Sequence, residues 1–125
     1  MGENHLTPEL KEFINRNIPS IAQLELLFLF YSFPDKFWNN EELSKETRTN
    51  VSAVSRNLSQ LLSRKLILKR DENYKYNPEN QEINLQVQQF FMVYQERPVA
   101  VITFIYEKPR DVLQDFANAF KLKKD

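Results

Sequence analysis

The chain has no cysteine, one glycine and one histidine in 125 residues. Without cysteine there are no disulfides, thiolate metal sites or cysteine nucleophiles. A lone His5 near the N-terminus does not assemble a histidine metal cluster or a catalytic triad. A lone Gly2 leaves no glycine loop to cradle a phosphate and no dinucleotide fingerprint. Net charge is missing too, because 17 basic and 17 acidic residues cancel. That argues against a bulk polyanion binder but leaves room for one charged face. The longest apolar run, Leu26 to Phe33, is broken by Ser32 and falls far short of the roughly 20 residues a membrane helix needs. Residues 1–17 are polar and carry Glu3, Glu9 and Glu12, unlike a signal peptide. These absences predict a cytoplasmic protein with no membrane partner, no cofactor, no bound metal and no catalytic activity. Carboxylate pairs such as Glu41/Glu42 and Asp111/Asp115 fall at predicted helix starts, where acids are favourable in themselves.

What is present describes a globule. Hydrophobic residues make up 42% and charged residues 27%, enough apolar surface for a core in a chain of one-domain size. The charge is unevenly placed. Residues 1–20 carry a net −1, 21–46 a net −3, 47–76 a net +5, 77–96 a net −3 and 97–125 a net +2. One thirty-residue stretch therefore holds most of the positive potential, an electrostatic footprint of the kind nucleic-acid readers use. A solvated helix face gives the same clustering.

Caps and apolar spacing outline the elements. Thr7-Pro8-Glu9 is a helix start, with Leu10, Phe13 and Ile14 on one face. Pro19 ends that segment. Ser20 caps the next helix, and Gln23 three residues later predicts a capping box. This second helix is apolar nearly all round (Ile21, Leu24, Leu27, Phe28 and Tyr31, widened by Leu26, Leu29, Phe30 and Phe33), the pattern of a central core helix. Phe37-Trp38 reads as a short strand or a cap on the core. Asn39 and Glu42 form a capping-box pair that predicts a short helix over Asn40 to Glu46. After a polar turn, Thr47 to Asn50, Asn50 caps a helix whose apolar positions Val51, Val54, Leu58, Leu61 and Leu62 make one stripe. Leu66 to Arg70 and Tyr74 to Pro78, around Asp71-Glu72-Asn73, predict a β-hairpin. From Glu79 the pattern is helical again, through Ile83, Val87, Phe90, Phe91 and Tyr94. Val99 to Tyr106 is ambiguous in composition; a buried helix is preferred over a strand. Pro109 opens a last amphipathic helix with Val112, Leu113, Phe116, Ala119 and Phe120.

Core helix, short helix, polar turn, capped helix, hairpin: this order predicts a mainly α fold with a small β-hairpin (α+β). The stretch Val54-Ser55-Arg56 with Leu58 and Leu61, running into Leu66-Ile67 and then Arg70, resembles the recognition helix and first wing strand of winged helix-turn-helix regulators. The similarity is to the multiple-antibiotic-resistance regulator (MarR) class and covers roughly residues 20–78. Lys65 stands where that class usually has glycine, Arg70 lies one residue further along than its pattern, and the hairpin tip Asp71-Glu72-Asn73 is acidic. The resemblance implies a winged helix-turn-helix with additional C-terminal helices: an N-terminal helical extension over 1–19, the winged domain over 20–78, and a helical region over 79–125 that pairs two subunits.

The implied function is a DNA-binding transcription regulator with a recognition helix over Asn50 to Ser63. Small Ser52, Ala53 and Ser55 let a helix sit deep in a major groove about 12 Å wide. Arg56 is long enough for guanine edges, and Asn57 and Gln60 for adenine. Thr49 and Asn50 stand at the helix start, where hydroxyls and amides meet phosphates. Lys69, Arg70 and Lys75 are the hairpin's phosphate-neutralising candidates. The partners expected are double-stranded DNA and a second copy of the chain. The competing reading is a winged-helix module that binds a protein and never touches DNA; zero net charge and the acidic tip favour it.

Overall fold

A computed structural model describes residues 6–107. Within them the chain forms six helices and one hairpin: α1 (Pro8–Asn17), α2 (Ile21–Ser32), α3 (Asn40–Thr47), α4 (Val51–Ser63), β1 (Ile67–Arg70), β2 (Asn73–Tyr76), α5 (Gln81–Glu96) and α6 (Pro98–Tyr106). It is a mostly helical molecule with a two-stranded antiparallel sheet. The helix expected from Pro109 onward, with Phe116 and Phe120, lies outside the described residues.

Short polar side chains set the helix starts. Thr7 Oγ1 accepts from the Leu10 amide at 3.1 Å, Ser20 Oγ from the Gln23 amide at 3.2 Å and Asn50 Oδ1 from the Ala53 amide at 2.8 Å. Asn80 Oδ1 accepts from the Ile83 amide at 2.9 Å, so α5 begins two residues later than the helical pattern from Glu79. Each such cap is worth about 1 kcal/mol. Asn39 and Glu42 form the full reciprocal box. The box expected at Ser20 is only half made, because the Gln23 side chain turns away from Ser20 and reaches α4. Val99 to Tyr106 is helical, started by Pro98.

β1 and β2 pair Ile67 with Tyr76, Leu68 with Lys75, Lys69 with Tyr74 and Arg70 with Asn73. Asp71 takes a left-handed φ of 57° in the turn between them. Trp38 adds a rung on the free edge of β2: its amide donates to the Tyr74 carbonyl at 2.7 Å, and the Tyr74 amide donates back at 2.8 Å. Phe37-Trp38 is thus both strand-like and core, since Trp38 is buried.

One cluster of buried side chains runs from Leu6 to Ile105. Helix α2 is its axis, with Leu24, Leu26, Leu27 and Phe30 buried and contacts to α3, α4, α6 and β2. Aromatic rings tie α5 to it: Phe91 lies against Phe28, Tyr31, Phe90 and Tyr94, and Phe90 against Phe13 of α1. Such ring pairs add about 0.5–1.5 kcal/mol each beyond the area they bury. Some apolar residues expected inside are not: Phe33, just past the end of α2, and Val51, at the start of α4, are 53% and 48% exposed. The helix over Val99 to Tyr106, expected to be buried, buries only Val101 and Ile105 and leaves Val99 and Tyr106 exposed, because one face of α6 is turned away from the core. Among the described residues no helix is long and apolar enough to cross a membrane.

Candidate nucleic-acid interface

The site begins at the turn between α3 and α4. Arg48 closes α3 in the left-handed conformation, φ 56°, which is costly for a residue with a Cβ. Hydroxyls over-determine that turn. Thr47 Oγ1 donates to the Leu43 carbonyl at 2.8 Å, Thr49 Oγ1 donates to the Thr47 carbonyl at 3.1 Å, and Ser44 Oγ donates to the Thr49 carbonyl. Thr49 is half-buried, its hydroxyl committed to the turn, while Asn50 is exposed with its side-chain oxygen in the cap. The turn holds the first turn of α4 at a fixed angle to α3.

Helix α4 buries Val54, Leu58 and Leu61 and turns a ridge outward. Ser52, Arg56, Ser59 and Ser63 recur at intervals of four, three and four, and all are exposed. Ser55 stands beside the ridge, also exposed, with its hydroxyl accepting from Asn40 Nδ2 of α3 at 2.7 Å. The same Asn40 amide reaches the Val51 carbonyl at 3.4 Å. The ridge is narrow, because serine adds little to the helix cylinder, and it carries one long cation. From Thr47 through Arg70 there are six basic residues and no acidic one.

Asn57 and Gln60 do not share the ridge. Both face α2, where Gln23 Nε2 donates to Asn57 Oδ1 at 3.2 Å and also to Gln60 Oε1. Arg64 completes the node, donating from Nη1 to Gln23 Oε1 at 3.3 Å and from Nε to the Arg16 carbonyl of α1 at 3.1 Å. Burial lowers the Arg64 pKa from its ordinary value, yet a guanidinium stays charged at any physiological pH. The two amides expected as adenine readers are therefore spent on seating α4 against α2. Gln23, expected to complete a capping box, is instead the centre of this node. Its signal was there: a polar side chain four residues before Leu27 and seven before Phe30, on the buried stripe of a mostly apolar helix.

On the hairpin, Lys69 and Arg70 are exposed and Lys75 is half-buried. Each lies over a ring. The Lys69 ammonium is 5.7 Å from the Tyr74 centroid, and Arg70 and Lys75 are 5.3 and 5.5 Å from Phe37. Strand alternation explains the pairing: Lys75 opposes Leu68 on the face that also holds Arg70, and Lys69 opposes Tyr74 on the other. Asp71 and Glu72 occupy the tip, exposed. Arg48, Ser59 and Ser63 extend the surface beyond the residues chosen from sequence.

Among the described residues no group of three or more histidine, cysteine, aspartate or glutamate side chains is arranged to hold a metal ion. Comparison with protein-family models, with curated proteins and with solved structures finds no match to this chain.

Proposed function

We propose that the protein binds double-stranded DNA as a winged helix-turn-helix regulator, with α3 and α4 as the helix-turn-helix and β1–β2 as the wing. The observation that carries this reading is the α4 ridge: an exposed line of serines with Arg56 at its centre, in a stretch free of acids. A helix with small side chains on one face fits a groove about 12 Å wide. Trp38, in the segment between α2 and α3, bridges Tyr74 on the edge of β2 opposite β1 and anchors the hairpin, which supports reading it as a wing. In this reading Arg56 reads a base edge, Ser52, Ser55 and Ser59 admit the helix, and Asn50 and Arg48 meet the backbone at the helix start. Thr49, its hydroxyl and amide both bonded within the turn, only shapes that start. Lys69, Arg70 and Lys75 neutralise phosphates from the hairpin. Asn57 and Gln60 orient the helix and leave base reading to Arg56.

The test is fluorescence anisotropy of a random-sequence duplex at several salt concentrations. Micromolar affinity that falls steeply with salt is expected, since phosphate contacts release counterions. With a site then selected from random sequence, Arg56→Ala costs about 1–3 kcal/mol and relaxes the preference at one base pair. Absence of binding even at low salt overturns the reading. It transfers the ridge to the second one, a protein-binding module, which the exposed acids Asp71 and Glu72 at the hairpin tip favour.

A further inference from the structure

A cavity of about 300 Å³ opens where α2, the end of α3 and α5 meet. That is the small end of the range for ligand pockets, about 300–1,000 Å³, and a void of about 150 Å³ already accepts a benzene ring. Part of its wall is aromatic. Phe28 of α2 and Tyr94 of α5 stand edge to face with centroids 5.9 Å apart. Behind them, Phe28 lies 5.2 Å from the buried Phe91, and Tyr94 stacks on the buried Phe90 at 6.3 Å. Both rings are half-buried. The aromatic corner is thus held from the core side while part of each ring remains accessible.

Charge around the cavity is mostly negative. Glu25 precedes Phe28 by one turn on the same face of α2, and Glu46 sits in the last turn of α3. Both are exposed, and among the described residues neither carboxylate is ion-paired. Arg48 lines the same cavity, yet it forms no ion pair with either of them. The C-terminal end of α3 adds the partial negative charge of a helix dipole. Two carboxylates and a helix end therefore stand against one guanidinium.

The geometry points to a site for a small organic cation: an ammonium or amidinium group in reach of Glu25 and Glu46, with its apolar body against Phe28 and Tyr94. Carboxylates give such a cation charge-assisted hydrogen bonds, and ring faces attract it within about 6 Å. An occupant rests against Thr47 and Arg48, the turn that fixes α4 relative to α3. The site does not depend on what α4 binds.

The probe is benzylammonium, titrated into the full chain and followed by amide chemical shifts. Saturable changes are expected at residues 25–29, 46–48 and 94, and none along the exposed ridge of α4. Benzoate carries the same ring and the opposite charge, and needs no substitution in the protein; it is expected to bind about tenfold more weakly or not at all. Glu25→Gln combined with Glu46→Gln keeps the side-chain size and removes both charges. Both positions are exposed, so the variant folds, and it is expected to weaken benzylammonium about tenfold. Benzoate binding as tightly as benzylammonium gives the cavity to Arg48 and overturns the cation assignment. So does an unchanged affinity in the double variant. Shifts that grow without saturating, or that are spread over the surface, overturn the site altogether.

Discussion

Lys65 is a residue in the wrong conformation for its side chain. It follows α4 with a φ of 63°, and its amide donates to the Leu62 carbonyl at 3.0 Å, a helix ending that glycine adopts without a Cβ clash. The cost was visible in the sequence, at a position where the winged-helix regulators this stretch resembles usually have glycine. Its exposed ion pair with Glu79, 3.8 Å apart, is too screened to offset the strain. Lys65→Gly is expected to stabilise the protein by about 1 kcal/mol, read as a higher urea midpoint with an unchanged slope. Tyr76 makes the opposite kind of point, a polar group well served by its site. Its hydroxyl donates to Asn84 Oδ1 at 2.7 Å. Burial, and secondarily the neighbouring Tyr31, push its pKa well above the ordinary 10.0. The folded state therefore prefers the protonated phenol. That contribution is complete below about pH 10 and is lost as pH rises past it. Chemical denaturation at pH 9 and pH 11 should reveal the fall, and Tyr76→Phe should flatten it.

At the scale of elements, legibility followed capping and periodicity. Thr7, Ser20, Asn39 and Asn50 each announced a helix that is present, because an N-cap is a local bond between near neighbours. The hairpin was legible for the same reason: its turn and strands are contiguous. What stayed hidden were side-chain destinations across elements. Asn57 and Gln60 look like groove readers on an isolated helix, and only the approach of α2 shows that Gln23 holds them. Val51 and Phe33 looked apolar and inward, but helix ends run past the edge of the core. The Gln23 node is also where α1, α2 and α4 meet. Gln23→Ala removes a side chain only 1% exposed and strips Asn57, Gln60 and Arg64 of a shared partner. A loss of about 2 kcal/mol is expected, measurable by thermal melting. In the proposed DNA-binding reading, affinity falls as well, since α4 loses its seat.

For the molecule as a whole, stability concentrates where α5 lies on α2. Phe91 is buried and touches four other rings. Phe91→Ala is expected to cost about 3–5 kcal/mol, a large share of the 5–15 kcal/mol typical of a domain. The predicted outcome is one cooperative transition at a much lower temperature by calorimetry, because the core cluster is continuous from Leu6 to Ile105. A separate early transition would instead mean that α5 and α6 melt independently of the α2–α4 core. The candidate surface on α4 and the hairpin rests on the same cluster, through Val54, Leu58, Leu61 and Ile67.

Trp38 is the only indole in the chain. It is buried, bonded through its backbone to Tyr74 and covered by Lys36, whose ammonium is 4.7 Å from the ring. The protein's intrinsic emission on red-edge excitation therefore originates from a single point at the hairpin's anchored edge. It is a built-in optical gauge of whether that hairpin is seated, and it needs no label.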